Sequence, residues 1–187
     1  MRVIAGSARR IQLKTAEGMD TRPTTDRIKE TLFNMIQNRL VQSRFLDCFA
    51  GSGAIGIEAL SRGAAQAVFI EQSQKAAECI RANLEAARLG DRALVMRCDV
   101  LAGLRSLGEK GYCFDTVFMD PPYNRQLEKQ ALVFLAESPL IHEDTLIIAE
   151  ASLETDFSYV EKQGFEIVRT KEYKTNKHVF LRRSADF

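Results

Sequence analysis

The feature that most constrains this chain is a five-fold alternation of strand-like and helix-like segments between residues 45 and 163. Short apolar runs predict buried strands, and longer stretches with apolar residues three or four positions apart predict amphipathic helices. Short links between the two are typical of a parallel sheet with helices on both faces. The predicted strands are residues 45–50, 67–71, 93–99, 114–119 and 145–150, and the predicted helices are residues 54–62, 73–89, a short helix ending near 107, 127–136 and 157–163.

Two more strands are predicted near the end of the chain, at residues 165–168 and 178–181. The charged loop at 174–177 is too short for a helical crossover, so the last strand should run antiparallel to its neighbour. The prediction is therefore a Rossmann-like α/β fold. Its sheet has seven strands, is mostly parallel, and contains an antiparallel last strand.

Residues 1–43 are predicted to form an extension that precedes a main domain at residues 44–187. Within the extension, segments on either side of Gly6 predict a short hairpin. A loop then leads to a helix capped by Thr24 or Thr25, because apolar residues recur at helical spacing from Ile28 to Leu40.

Composition favours a single globular domain, because 187 residues with 45% hydrophobic content can bury a sizeable core. No apolar run is long enough to span a bilayer, and no secretory signal is expected at the N-terminus. The cysteines are widely spaced, with no CxxC pair or histidine cluster, and they predict reduced thiols, no metal site and a cytoplasmic location. They are Cys48, Cys79, Cys98 and Cys113.

The net charge of +1 hides an uneven distribution of charged residues along the chain. Residues 1–44 carry a net charge of +5, residues 45–168 carry −8, and residues 169–187 carry +4. Basic ends around an acidic centre favour a polyanion bound by the periphery, although ordinary solvated ends would give the same pattern.

Acidic residues and glycines follow the predicted strands, and the carboxyl ends of the strands are where such sheets bind ligands. The first strand leads into Gly51-Ser52-Gly53, whose glycines permit a tight turn and close approach of the backbone to a ligand. Glu71 could accept both hydroxyls of a ribose, and Asp99 could accept an adenine amine. Each acid alone could be a solvated loop residue, but the set favours a ligand.

The same segment argues against a phosphate ligand, because no Walker lysine follows the glycines and Asp47 would repel a pyrophosphate. A ligand with a ribose, an ammonium and a sulfonium fits the acids better, and S-adenosylmethionine is such a ligand. The predicted cofactor-binding residues are Asp47, Phe49, Ala50, Gly51, Gly53, Glu71, Asp99 and Asp120.

The stretch Asp120-Pro121-Pro122-Tyr123 follows the fourth predicted strand. Two prolines stop a strand and remove two N–H donors, so only acceptors remain beside the Tyr123 ring. This cluster suits a planar group that bears an NH2, such as a nucleobase stacked on the tyrosine. The alternative is a strand followed by a simple Pro-Pro turn with Asp120 as the turn former.

Together these motifs resemble the class I S-adenosylmethionine-dependent methyltransferases, and more narrowly the RsmD family of small-subunit (16S) ribosomal RNA guanine-N2 methyltransferases. The matching stretches are residues 22–27 with Glu30, Leu32, Phe33 and Asn34, then 47–53, 56–64 and 120–123. One departure is visible, because family members tend to carry a Gly-Arg step where this chain has Arg9-Arg10-Ile11.

The resemblance implies methyl transfer from S-adenosylmethionine to the N2 amine of a guanine in 16S rRNA. A chain with one domain and limited basic surface favours an assembling or assembled small ribosomal subunit as substrate, and naked rRNA stays open as the alternative. The default expectation is a monomer with no membrane partner. The predicted catalytic residues are Asp120, Pro121, Pro122 and Tyr123. The predicted substrate-binding residues are Arg9, Arg10, Arg22, Thr24, Thr25 and Tyr123, and residues 22–26 are expected to lie over the pocket.

Two alternatives stay open at this point. A DNA adenine- or cytosine-amino methyltransferase would also carry the 120–123 motif, although a chain this short has no obvious target-recognition domain. A non-catalytic S-adenosylmethionine- or RNA-binding module would have no need of Asp120. The two histidines, His142 and His178, are predicted to be structural or surface residues.

Overall fold

The structure is a computed structural model that describes residues 1–15, 25–123 and 125–185. One seven-stranded sheet has the strand order β3-β2-β1-β4-β5-β7-β6. The strands are β1 (Arg44–Asp47), β2 (Gln66–Ile70), β3 (Ala93–Met96), β4 (Phe114–Met119), β5 (Ile141–Ser152), β6 (Phe165–Glu172) and β7 (Asn176–Arg183). The α-helices are α1 (Asp26–Ile36), α2 (Ala54–Ser61), α3 (Gln74–Ala87), α4 (Val100–Glu109) and α5 (Leu127–Ala136).

The direction of the strands confirms the predicted sheet. The strands β3, β2, β1, β4 and β5 pair in parallel, and β7 is antiparallel to both β5 and β6. The strand order reverses between β1 and β4, which makes the carboxyl ends of these two strands the topological switch point where such sheets bind ligands.

Three helices begin at residues whose side chains accept a backbone N–H of the first turn. Thr25 accepts from Ile28 at the start of α1, Ser73 caps α3, and Asp99 caps α4. Such caps satisfy N–H groups that have no partner within the helix. The predicted cap at Thr25 is therefore confirmed.

The predicted helix at residues 157–163 is wrong, because this stretch contains only a 3-10 turn at Glu161–Gln163. The backbone N and the hydroxyl of Ser158 both bond to the Asp156 carboxylate, at 2.9 and 2.6 Å. Such local bonds compete with helix formation. The strand β5 is also longer than predicted, since it begins at Ile141 and not at Thr145.

The side chains of the sheet divide between two hydrophobic clusters, one on each face. Phe45, Phe69 and Phe118 belong to the first cluster, and Leu46 and Val117 belong to the second. Because side chains alternate along a strand, residues two positions from these phenylalanines project from the first face as well.

The N-terminal residues pack on that first face. Their predicted hairpin consists of one antiparallel bridge, Arg2 to Gln12, and Val3 and Leu13 are buried in the first cluster. The division of the chain at residue 44 into an extension and a main domain stays a prediction. Among the described residues, no helix combines the length and the apolar character needed to cross a membrane.

The N-terminal segment is joined to α2 through a buried carboxylate. Glu58 accepts backbone N–H groups from Ile4 and Ala5 at 2.8 and 3.0 Å. It also pairs with the Lys29 ammonium at 3.2 Å and with Arg62 at 2.8 Å. One side chain therefore holds residues 4–5, α1 and α2 together.

Candidate active site

Four carboxyl groups lie along the carboxyl edge of the sheet on its first face. Asp47 ends β1 and is in register with Phe69 and Phe118 of the neighbouring strands. Met119 is in register with Ala149, so the next residues along these parallel strands, Asp120 and Glu150, are neighbours. We call Glu71, Asp47, Asp120 and Glu150 the carboxylate row.

The predicted glycine loop connects β1 to α2 beside this row. Gly51 and Gly53 have φ of 54° and 79°, in the left-handed region that favours glycine. A Cβ atom added to Gly53 would lie 3.1 Å from Cγ2 of Ile80, so α3 packs closely against the loop. The Gly51 N–H donates to Glu71 at 2.9 Å, which ties the loop to the end of β2.

Asp47 is the most buried member of the row, at 1% exposure. Its Oδ2 accepts the Gly56 N–H at 3.2 Å, and its Oδ1 has no partner among the described residues. Burial raises the pKa of Asp47 to about 7, with a smaller upward contribution from the Glu71 charge. A buried acceptor without a partner is costly, and a ligand donor or cation would relieve it.

The carboxylates predicted to bind the adenosine portion already make contacts within the chain. Glu71 accepts the Gly51 and Ser73 N–H groups, one on each oxygen. Asp99 caps α4 through Oδ1, which accepts the Ala102 N–H at 3.1 Å. Since a carboxylate has about four acceptor positions, both residues retain capacity for hydroxyl or amine donors.

The strand β4 ends at Met119, as the proline pair predicts. Burial raises the pKa of Asp120 well above its ordinary value, and the negative charges of Glu150 and Asp47 raise it further. Pro121 is buried, whereas the Tyr123 side chain is 42% exposed. An exposed aromatic ring next to an acceptor cluster can stack on a planar base.

The other predicted site residues fall into two groups. Phe49 is half-buried, and the Ala50 N–H donates to the Ile70 carbonyl at 3.0 Å beside the glycine loop. Arg9 and Arg10 are exposed and follow Gly6, which packs on Ser61 at the end of α2 farthest from the glycine loop. The structure does not bring these arginines to the carboxylate row.

Arg22 and Thr24 lie outside the described residues, and so does most of the loop at 22–26 that was expected over the pocket. Thr25 is described only as the cap of α1, and no contact joins it to the row. The roles in RNA binding that were predicted for these residues stay predictions.

The sequence prediction missed Glu150 and its partners on β7. Glu150 is 5% exposed and accepts from Asn176 at 2.7 Å through one oxygen. Its other oxygen lies 3.0 Å from Nε2 of His178, which is fully buried. An acid at the end of a predicted strand is the signal that identified the other carboxylates, and it applies equally to Glu150.

A groove of about 840 Å³ lies elsewhere on the protein. It runs between α4 and α5, whose buried residues pack on the second face of the sheet, and it is lined by residues such as Arg105, Lys129 and Phe134. It includes no member of the carboxylate row. The chemistry of the side chains therefore points to the edge of the sheet and not to this groove.

Comparison with known proteins identifies the family of this chain. The sequence model of a family described as Conserved hypothetical protein 95 matches residues 1–182. The "Putative rRNA methyltransferase YlbH" of Bacillus subtilis is 41% identical over 156 residues, which are 83% of this chain and 85% of that protein. The "Ribosomal RNA small subunit methyltransferase D" of Escherichia coli is 37% identical over 154 residues, covering 82% of this chain and 76% of that protein.

Solved structures show the same fold. The "Putative methyltransferase yhhF" from Escherichia coli superposes with a TM-score of 0.84 at 33% identity, covering 99% of this chain and 98% of that chain. An RNA methyltransferase from Salinibacter ruber, solved with S-adenosyl-L-homocysteine, has a TM-score of 0.67 at 14% identity and covers 89% of this chain and 96% of that chain. The second likeness shows the fold alone.

Proposed function

Because this chain belongs to the Conserved hypothetical protein 95 family, the RsmD family, we propose that it methylates the N2 amine of a guanine in small-subunit rRNA. At the coarser level it is an S-adenosylmethionine-dependent rRNA methyltransferase. The observation that carries the finer proposal is Asp120 at the switch point, followed by two prolines and an exposed tyrosine.

The acceptors of this motif suit an exocyclic amine. The lone pair of guanine N2 is delocalised into the ring, which makes the amine a poor nucleophile. Asp120 and the Pro121 carbonyl would each accept one amine hydrogen, which localises the lone pair and aims it. Fixed acceptors of this kind contribute through orientation and electrostatics.

The carboxylate row fits the methyl donor. S-adenosylmethionine supplies a methyl group on a positively charged sulfonium, and its ribose and ammonium are hydrogen-bond donors. Glu71 retains acceptor capacity for ribose hydroxyls, and the unpartnered Oδ1 of Asp47 offers an acceptor beside the glycine loop. A cation also offsets the mutual repulsion of Asp47, Asp120 and Glu150, whereas a phosphate would add to it.

On the RNA side, the proposal is that the target base leaves its stack and lies on Tyr123. The net charges of +5 at residues 1–44 and +4 at residues 169–187 support contacts to phosphates around an acidic centre. A single domain with this limited basic surface supports a ribosomal particle as substrate, since the particle would supply further recognition. We further propose that the protein acts as a monomer in the cytoplasm.

The test is labelled methyl transfer to small ribosomal subunits, naked rRNA and duplex DNA, followed by digestion to nucleosides. We expect N2-methylguanosine from the RNA or the subunits. N6-methyladenine or N4-methylcytosine from the DNA would contradict the proposal in favour of a DNA amino-methyltransferase. Cofactor binding without transfer to any of the three would contradict it in favour of a non-catalytic module.

A further inference from the structure

Glu150 lies directly beside the proposed catalytic carboxylate, in a setting that differs from an ordinary surface acid. It is in register with His178 of β7, and it follows Ala149, the partner of Met119 in β4. Its exposure is 5% and that of His178 is 0%. A carboxylate buried at this depth needs partners, and β7 provides them.

The partners of Glu150 form a short hydrogen-bonded chain. Asn176 donates to Oε1 at 2.7 Å, and Nε2 of His178 lies 3.0 Å from Oε2. Nδ1 of His178 is 3.3 Å from the Tyr173 hydroxyl. The imidazole ring also makes edge contacts with Phe118, at 6.0 Å between ring centroids. His178 therefore has a fixed orientation, and Glu150 is held by two donors.

The charged and titratable groups around Asp120 come from three directions. Asp47 of β1 and Glu150 of β5 face it as negative charges. His178 of β7 contacts Glu150 on the side away from Asp120, and the Tyr173 hydroxyl contacts His178 in turn. The positive charge of Arg169 on β6 acts to lower the pKa of Tyr173. The negative charge of Glu150 on the neighbouring strand makes ionisation of the buried Asp120 costly.

We propose that Glu150, held by His178 and Asn176, is a positioning residue whose negative charge keeps a proton on Asp120 in the free protein, and that loss of this proton makes Asp120 able to accept hydrogen from the substrate amine. This inference rests on the proposed function, since it concerns the same methyl transfer. It assigns a role to three residues that the sequence analysis treated as structural or did not consider.

The proton balance of the reaction is consistent with this role. When the N–C bond forms and the C–S bond breaks, the sulfur keeps the bonding pair and one proton has to leave the nitrogen. Asp120, having released its proton when the positive sulfonium enters, is free to take this one. The proton returns to solvent after the neutral sulfur product has formed.

The first experiment measures proton release when cofactor binds, by calorimetry at neutral pH in buffers of different ionisation enthalpy. The wild-type protein should release more protons with S-adenosylmethionine than with S-adenosylhomocysteine, which lacks the sulfonium charge. E150Q should reduce this difference. E143Q is the matched control, because Glu143 is an exposed acid at the other end of the same strand.

The outcomes separate this inference from the proposed function. If neither cofactor binds, the proposed function fails. If both bind and E150Q releases as many protons as wild type, only the inference fails. Gln keeps an oxygen for one donor, and His178 can change tautomer to pair with the new amide, so E150Q is expected to fold; thermal unfolding checks this.

The second experiment measures the rate constant for single-turnover methyl transfer against pH. In E150Q the acidic limb of the pH–rate profile should move to lower pH by about one unit. The rate constant at acidic pH, relative to its plateau value, should then rise about tenfold. His178→Phe removes a donor to Glu150 and should move the limb to higher pH. A purely structural role would lower the rate at all pH values without moving the limb, and that result would overturn the inference.

Discussion

At the scale of single residues, the candidate site places several carboxyl groups together where burial raises the free energy of their ionised form. Burial raises the pKa values of both Asp47 and Asp120, and neighbouring carboxylates raise them further. These acids destabilise the folded protein when ionised, which is the usual cost of a site built to receive a cation. The proposed binding of a cationic cofactor thus accounts for the carboxylate row better than the stability of the fold does.

Asp47→Asn should therefore flatten the pH dependence of stability. The pKa of Asp47 rises from 3.8 to about 7 on folding, so the folded state binds more protons between these values. The free energy of unfolding should fall as pH rises through this window, by up to about 4 kcal/mol from this group, and level off above it. Urea unfolding from pH 4 to pH 8 measures the slope.

The matched control for this prediction is Asp91→Asn, which removes an exposed carboxylate. It should leave the slope of the wild-type curve unchanged. An Asp47→Asn protein whose stability falls with pH as steeply as that of wild type would show that Asp47 ionises normally in the folded state.

Asp47, Glu71 and Asp120 could be predicted from the sequence, because an acid at the end of an apolar strand is recognisable from its neighbouring residues alone. The sequence did not identify the Glu150 to His178 pair, since the two residues are brought together only by the register of β5 with β7. Strand register depends on contacts distant in sequence, which local patterns do not contain.

At the scale of the elements, Glu58 of α2 is the point where the N-terminal residues join the sheet domain. It is fully buried and accepts from Ile4, Ala5, Lys29 and Arg62. Burial lowers the pKa of Lys29, and the charge of Glu58 opposes this shift. Attachment of the N-terminal residues to α1 and α2 therefore depends on a polar network and not only on apolar contacts.

Glu58→Leu should consequently destabilise the protein by about 3–5 kcal/mol, because the buried Lys29 ammonium loses its carboxylate partner, although it keeps the Arg2 carbonyl, and two backbone N–H groups lose their acceptor. Lys29→Met should cost less, since Glu58 would keep Arg62 and both backbone donors. Denaturant unfolding measures both, with the exposed Glu85→Leu as the control. Equal losses for Glu58→Leu and Lys29→Met would contradict this view of the network.

The predicted bounds agree with the structure where an apolar pattern covers the whole element, as in α3 and β4. The prediction failed at residues 157–163, where Phe157 and Val160 are spaced as in a helix but are buried by turns packed on the sheet. Periodicity alone does not distinguish such a turn from a short helix.

At the scale of the whole molecule, the strand order brings the candidate site residues to one edge of the sheet. The charged residues divide the chain into an acidic centre and two basic ends. The alternation of elements predicted a parallel sheet, but the reversal between β1 and β4 comes from pairing over long sequence distances. The family resemblance supplied the remaining expectation of a class I methyltransferase fold.

The basic ends should contribute to RNA affinity without affecting the cofactor. Replacing Arg9 and Arg10 together by Ala should weaken RNA binding and reduce the salt slope by up to about two, because up to two phosphate contacts are lost. Replacing Lys75 and Arg81, exposed cations on α3, is the matched control. An unchanged salt slope in the Arg9 and Arg10 variant would remove these residues from the RNA surface.

The central claim is that Asp120 acts in the transfer step, and the most direct measurement is single-turnover methyl transfer by Asp120→Ala with cofactor affinity measured in parallel. The account predicts a loss of at least about 100-fold in the transfer rate, with cofactor binding retained because Asp47, Glu71 and Asp99 still offer their acceptors. Loss of cofactor binding together with transfer, or transfer at the wild-type rate, would contradict it.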